Sequence, residues 1–410
     1  MRKQNVIFSF ILLVMVFAMT LTSCKKDDPT ALTLSTMVIG TTDLNGATAP
    51  TNVPVSPSIV ATFSTDVDAA TATNTNILLQ QDYDKADIPI TIQVSGKVVT
   101  ITPTTALGYG SLYKLTFLAL KATNGENLGA FERAFTTEGT FTPSGQIAYW
   151  NFDDNANDQI GSYDPTAADI VDLTYTASLN AAAGKAATFN GTTTIIEVPN
   201  GNTLMNATNF SICFWVKTNS TAKTGGHFVM GLAGWYGFQY EMYGGYDGAK
   251  FAFRYALADN STSSEDMWFP ALADQGWQGW SYAKSLTADQ MKALLKDTWL
   301  HVTYTYNGAT KVGTLYYNGE KMKSFDFNLW PAGDAKKGVT GLKYDGDALG
   351  NKLAFGFIQG RSNKTISDTW ADYSHADANG HFKGQLDDVR VFHKAISAGE
   401  VGLIYNSEKP

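Results

Sequence analysis

The sequence predicts an all-β chain of two successive β-sandwiches, with one short helix inserted in the second. Three observations carry this. Runs of β-branched or aromatic residues alternating with polar ones recur along residues 35–408, each bounded by Gly, Asn, Asp, Ser or Pro, the period-2 signature of half-buried strands. A helical period is confined to residues 285–296 and the last dozen residues. At 410 residues the chain exceeds one ordinary domain and suits two.

The N-terminus places Arg2 and Lys3 before an apolar run from Val6 to Leu21 that stops at Leu21-Thr22-Ser23-Cys24. That run is too short to span a membrane comfortably and has the layout of a signal peptide. The Leu-x-Ser-Cys ending resembles a bacterial lipobox. The resemblance implies a signal peptide over residues 1–23, diacylation of the Cys24 sulfur, and a lipidated tether over 24–34 holding the protein to a membrane without a transmembrane helix. Lys25-Lys26-Asp27-Asp28 resembles the acidic tether of Bacteroidetes-type lipoproteins sent to the outer face of the outer membrane. Cys213 is the only other cysteine; it lies in an apolar strand pattern and reads as a small buried hydrophobe.

Residues 35–138 follow as short strands. Ile90-Thr91-Ile92-Gln93-Val94 and Val98-Val99-Thr100-Ile101 alternate around a Ser95-Gly96-Lys97 hairpin turn. Spacing near ten residues with no convincing helix predicts a small β-sandwich. The succession V-P-V-S-P-S-I-V-A-T-F-S (53–64), V-V-T-I-T-P (98–103), L-Y-K-L-T-F (112–117), N-G-E-N-L (124–128) and F-T-T (135–137) resembles bacterial Ig-like repeats, which implies a spacer. Residues 139–145 read as a linker, closing a stretch of turn residues from Glu138 to Gly145.

Residues 146–408 form the second domain. Trp150-Asn151-Phe152-Asp153, then G-K-A-A-T-F-N-G (184–191), F-S-I-C-F-W-V-K (210–217), W-L-H-V-T-Y-T-Y-N-G (299–308), L-Y-Y-N-G-E (315–320), and a closing strand with Asp387-Asp388 before a Ser397-capped helical turn, appear in one fixed order. This ordered set resembles laminin-G-like, concanavalin A-like jelly rolls. The fold implied is therefore an N-terminal Ig-like β-sandwich followed by a concanavalin A-like jelly-roll β-sandwich with a short inserted helix. That helix is read over 285–296, where Leu286, Met291, Leu294 and Leu295 share a side and Thr287 with Gln290 can form a capping box. Two long loops are expected near 256–284 and 328–350.

The chemistry is one of binding. Net charge is −8, with 30 basic against 38 acidic side chains and no basic cluster, which points away from nucleic acid. Glucanases resembling this fold carry E-x-D-x-x-E on an inward strand, since two carboxyls must flank the glycosidic bond; the sequence has no such triplet. Glu265 and Asp266 are adjacent, so in a strand they would face opposite ways. None of the five His (227, 301, 375, 381, 393) falls in a metal or nucleophile motif. No catalytic residue is assigned, and an enzyme would need carboxylates assembled from separate strands, such as Asp247, Glu265 or Asp372.

Aromatic density is the positive signal. Fourteen Trp, Tyr and Phe stand between Trp235 and Tyr282. Phe251, Phe253 and Tyr255 read as strand core, whereas Trp268, Trp277 and Trp280 lie among Gly, Asp, Gln and Pro as though on a loop, where exposed rings either pack or bind. With Trp235, Tyr236, Trp330 and Trp370 they are the candidate ligand-binding residues. Indole and phenol rings stack on the C–H faces of sugars while neighbouring polar groups take the hydroxyls. The family resemblance adds a structural calcium ion to test: the Asn155–Gly161 turn resembles the opening loop of such jelly rolls, implying Asp158 and Asp387 as ligands. The expectation is a cell-surface lipoprotein that binds a polysaccharide or glycan without cleaving it, in support of an outer-membrane glycan importer. The alternatives are a protein-binding scaffold and, third, a glycoside hydrolase.

Overall fold

The computed structural model describes residues 29–205, 207–270, 279–364, 369–375 and 380–409. The expected signal peptide, Cys24 and Trp277 lie outside the described residues. The chain divides into two compact units. One takes the described residues up to Gly108 together with Leu112–Glu138; the other takes Tyr109–Ser111 and the described residues from Gly139 onward. The architecture is mostly β, as the alternation predicts.

The first unit is a five-stranded and a four-stranded sheet. Strands Ile90–Ser95 and Val98–Pro103 pair from Ser95↔Val98 outward around Gly96, whose φ of +57° only glycine adopts freely. Alternate residues bury Ile59, Ala61 and Phe63 from one sheet and Ile77, Leu115 and Phe117 from the other, with the Phe63 and Phe117 rings meeting edge-on at 6.0 Å.

The second unit pairs a nine-stranded with an eight-stranded sheet. In strand Phe210–Thr218, Phe210, Ile212, Phe214 and Val216 point into the core, facing Phe238 and Tyr240 and then Phe251 and Phe253 of the other sheet. The Phe253 and Tyr304 rings stack at 4.0 Å. Buried tyrosine hydroxyls pair with each other, Tyr255 with Tyr304 at 2.6 Å and Tyr240 with Tyr317 at 3.2 Å, which removes the cost of burying them alone.

The inserted helix runs Ala288–Leu295 with the reciprocal Thr287–Gln290 capping box, burying Met291 and Leu295. The expected loop over 256–284 is in part strand: Thr262–Phe269 is the edge of the eight-stranded sheet and Trp280–Ala283 the edge of the nine-stranded one. Likewise 328–350 contains strand Val339–Leu342, which pairs with Ala249–Leu257. The closing turn is a full helix, Ala398–Glu408, capped by Ser397 and Glu400.

That helix covers the outer face of the nine-stranded sheet. Trp215 is buried there against the ring of Tyr405, and its Nε1–H donates to Glu408 Oε2 at 2.8 Å. Arg390 forms an ion pair with the other Glu408 oxygen. His301 packs 5.0 Å from the Trp215 ring and is fully buried, a packed histidine whose imidazole burial holds near pKa 3. At the centre of strand Lys383–Phe392, Asp388 adopts φ +48°, and two residues there oppose the single Phe214. This bulge turns Asp388 toward the Tyr149 hydroxyl while Asp387 stays buried beside Ser178.

Candidate functional site

The outer face of the eight-stranded sheet presents the residues that its core-facing alternation leaves over. Register places Gln239, Ala252 and Asp266 in one row across three strands, and Glu241, Lys250 and Trp268 in the next. Ala252 contributes only a methyl group, so the floor is low between its polar neighbours. A cleft of about 470 Å³ opens over these rows, walled by Trp235 and Trp370 and, around the edge strand, by Trp268, Trp280, Glu265 and Lys336.

One wall is built by close backbone approach. A side chain at Gly231 would meet the Ile358 carbonyl oxygen at 2.4 Å, so glycine there lets the following segment lie directly on the sheet. Phe357, Ile358 and Ala371 form a small core on that face and raise Trp370 against Trp235, the rings stacked at 6.2 Å and 22°. Trp235 in turn stacks on Tyr236 at 5.6 Å, and Arg254 covers the Tyr236 ring at 5.6 Å. The opposite platform is Trp268, whose Nε1–H donates to Asp266 at 3.0 Å beneath Lys250 at 5.8 Å. Trp268 and Trp370 are each 44% exposed, an unusual exposure for large rings unless a partner covers them.

The floor is a charged lattice. Lys250 Nζ lies 3.2 Å from Glu241 and 3.5 Å from Asp266. Gln239, 1% exposed, donates its Nε2 to Glu241 at 3.3 Å, which orients Oε1 the other way, where it finds no partner. Burial lifts Glu241 above the usual carboxylate range, with Lys250 opposing; burial does the same to Glu265 against Lys336.

Comparison with known families accounts for both units. Residues 33–137 match the bacterial Ig-like domain, and residues 190–350 match the concanavalin A-like lectin/glucanases superfamily. The chain is a bacterial Ig-like domain followed by a concanavalin A-like domain. No curated protein matches it significantly. Similar solved structures include the binding domain of Paraclostridial Mosquitocidal Protein 1 (14% identity, 64% of this chain and 52% of that chain, TM-score 0.39). The botulinum neurotoxin type G receptor-binding domain (15%, 64% and 51%, 0.37) is another, as is the serotype D ligand-binding domain in complex with N-acetylneuraminic acid (15%, 64% and 51%, 0.39). The alignments span about half of those solved chains; at these scores they carry no argument about what this chain binds.

Within the concanavalin A-like domain, the structure gathers Trp235, Trp268, Trp280 and Trp370 around one cleft and stacks Tyr236 behind it. Trp280 is only partly exposed, packs against the core and carries the Lys323 ammonium on its ring. Trp330 is buried, packed against Phe325 with Lys336 over it at 4.6 Å, and is a core residue rather than a platform. Glu265 and Asp266 do face opposite ways, toward Lys336 and Lys250 respectively. Sequence reasoning missed Gln239, Glu241 and Lys250; the alternation in F-Q-Y-E-M (238–242) was their signal.

The two carboxylates implied as calcium ligands each have protein partners. Both Asp158 oxygens accept backbone N–H groups, from Tyr149 and Ile160 on one and from Gly161 and Tyr163 on the other. Asp387 instead bonds Ser178 and the Asp388 N–H. Among the described residues no three His, Cys, Asp or Glu side chains form a metal-sized cluster.

Proposed function

We propose that the concanavalin A-like domain binds carbohydrate without cleaving it, in the cleft between the Trp235–Trp370 wall and the Trp268 platform. The observation that carries this reading is the pair of half-exposed indoles, Trp268 and Trp370, that line one cleft over a low polar floor. Stacking takes the apolar faces of the sugar, and the floor takes its hydroxyls. Non-cleavage is supported by Lys250, which holds both floor carboxylates in ion pairs and so leaves neither as a free proton donor for a leaving group. The Ig-like domain serves as spacer. The N-terminal Leu-x-Ser-Cys sequence supports anchoring through Cys24 at the cell surface, where the domain would capture glycan beside an outer-membrane importer.

The test is a tryptophan-fluorescence titration of the 25–410 chain over a polysaccharide panel, alongside Trp268→Ala and Trp370→Ala. Saturable binding that both variants weaken supports the reading. A silent panel moves the function to protein binding, and release of reducing ends by pure protein moves it to glycoside hydrolysis.

A further inference from the structure

Resting on the carbohydrate reading above, we infer that this cleft selects uncharged glycans rich in hydroxyl or amide N–H donors and rejects chains that carry carboxylate or sulfate groups.

The first argument is the balance of hydrogen-bonding capacity. Among the described residues, the one buried side-chain atom on the floor without a partner is an acceptor, Gln239 Oε1. Its identity follows from the other end of the amide, since only the NH₂ group can donate to the Glu241 carboxylate. A ligand donor that reached this oxygen would make a bond that the free protein leaves unmade. Uncharged sugars carry hydroxyl donors at nearly every ring position, and each one oxidised to a carboxylate or converted to a sulfate replaces a donor with acceptors only.

The second argument is charge. Glu265 and Asp266 line the cleft with two lysines, Glu241 lies beside Lys250, and each lysine is already engaged. Lys250 bridges Glu241 and Asp266, and Lys336 pairs with Glu265. Arg254, two residues along the strand from Ala252, is held by Asp345, Thr262 and Ser264. An incoming anion would meet no uncommitted cation among these residues and would have to strip one from its carboxylates, leaving them unpaired at a half-buried site. A neutral chain disturbs none of these pairs.

The experiment uses matched chains, so that only charge differs. Glucan, mannan and galactan oligosaccharides are titrated against the 25–410 chain by calorimetry, each beside the same oligosaccharide after oxidation of its C6 hydroxymethyl groups to carboxylates. The expected result is that whichever neutral chain binds does so at least tenfold more tightly than its oxidised form at low salt. The gap should narrow as salt screens the repulsion, and it should shrink to about threefold or less in Asp266→Asn, which keeps an acceptor for the Trp268 indole. An oxidised chain that binds as well as its neutral parent, or a preference that Asp266→Asn leaves intact, overturns the inference while leaving carbohydrate binding standing. Failure of every chain in both forms sinks the carbohydrate reading itself and this inference with it.

Discussion

The two outer faces of the concanavalin A-like sandwich are built from the same chemistry and put to opposite uses. Each displays a tryptophan whose indole N–H donates to a carboxylate, Trp215 to Glu408 and Trp268 to Asp266. Each sets a cation among acids, Arg390 with Glu408 and Asp388, and Lys250 with Glu241 and Asp266. On the nine-stranded sheet the Ala398–Glu408 helix lies over this layer, and Trp215 is 1% exposed. On the eight-stranded sheet the layer stays open, and Trp268 is 44% exposed. What separates a packing layer from a binding layer is whether the chain supplies its own lid. The covered face should govern stability, and the open face should govern affinity.

The largest expected effect lies on the covered side. Trp215→Ala removes a fully buried indole and the Glu408 hydrogen bond, and should cost about 3–5 kcal/mol in chemical denaturation. If it costs less than about 1 kcal/mol, the helix does not depend on that layer and the contrast fails. Next is Asp387→Asn. Its folded pKa of about 9 lies above the ordinary 3.8, so between those values the folded state holds a proton that the unfolded state has released, and stability falls as pH rises. The asparagine should therefore stabilise by on the order of 1–2 kcal/mol at pH 8 and change little near pH 3.5. A loss of stability at pH 8 would mean that the carboxylate form is the one the fold uses.

On the open side the signs reverse. Trp268→Ala should change unfolding free energy by less than about 1 kcal/mol while weakening glycan binding about tenfold, or roughly 1.4 kcal/mol. Trp370→Ala should do the same with a slightly larger stability cost, because its ring also rests 5.8 Å from Phe228 and 6.2 Å from Trp235. A variant on this face that unfolds the domain but spares binding would erase the distinction between the faces.

The contrast also marks where the sequence was legible. Strands with one apolar face were plain: F-S-I-C-F-W-V-K and F-A-F-R-Y-A alternate cleanly because every second residue meets the opposite sheet. The strand Thr262–Phe269 was not, since T-S-S-E-D contains no apolar residue. Its Glu265 points to the core side at the sandwich edge, where Lys336 comes to meet it, so that position calls for a carboxylate where a strand pattern leads one to expect Val or Ile. Trp268 and Trp280 thus read as loop residues, although Trp268 is the last residue but one of its strand and Trp280 begins another. The Asp387–Asp388 pair was visible but its geometry was not, because nothing in a local pattern announces that a non-glycine residue will take a positive φ. The cleft needed three strands in register, and register depends on partners far apart in sequence.

The lysine at position 323 sets how the open face will behave when occupied. It is fully buried, donates to the Trp268 carbonyl oxygen at 2.8 Å and lies over the Trp280 ring, so one side chain from the nine-stranded sheet grips the edge strand of the other. The backbone beneath Trp268 is thereby fastened by the fold itself. A ligand stacked there would find little conformational entropy left to remove, and the cleft would give up mainly the water over two indoles.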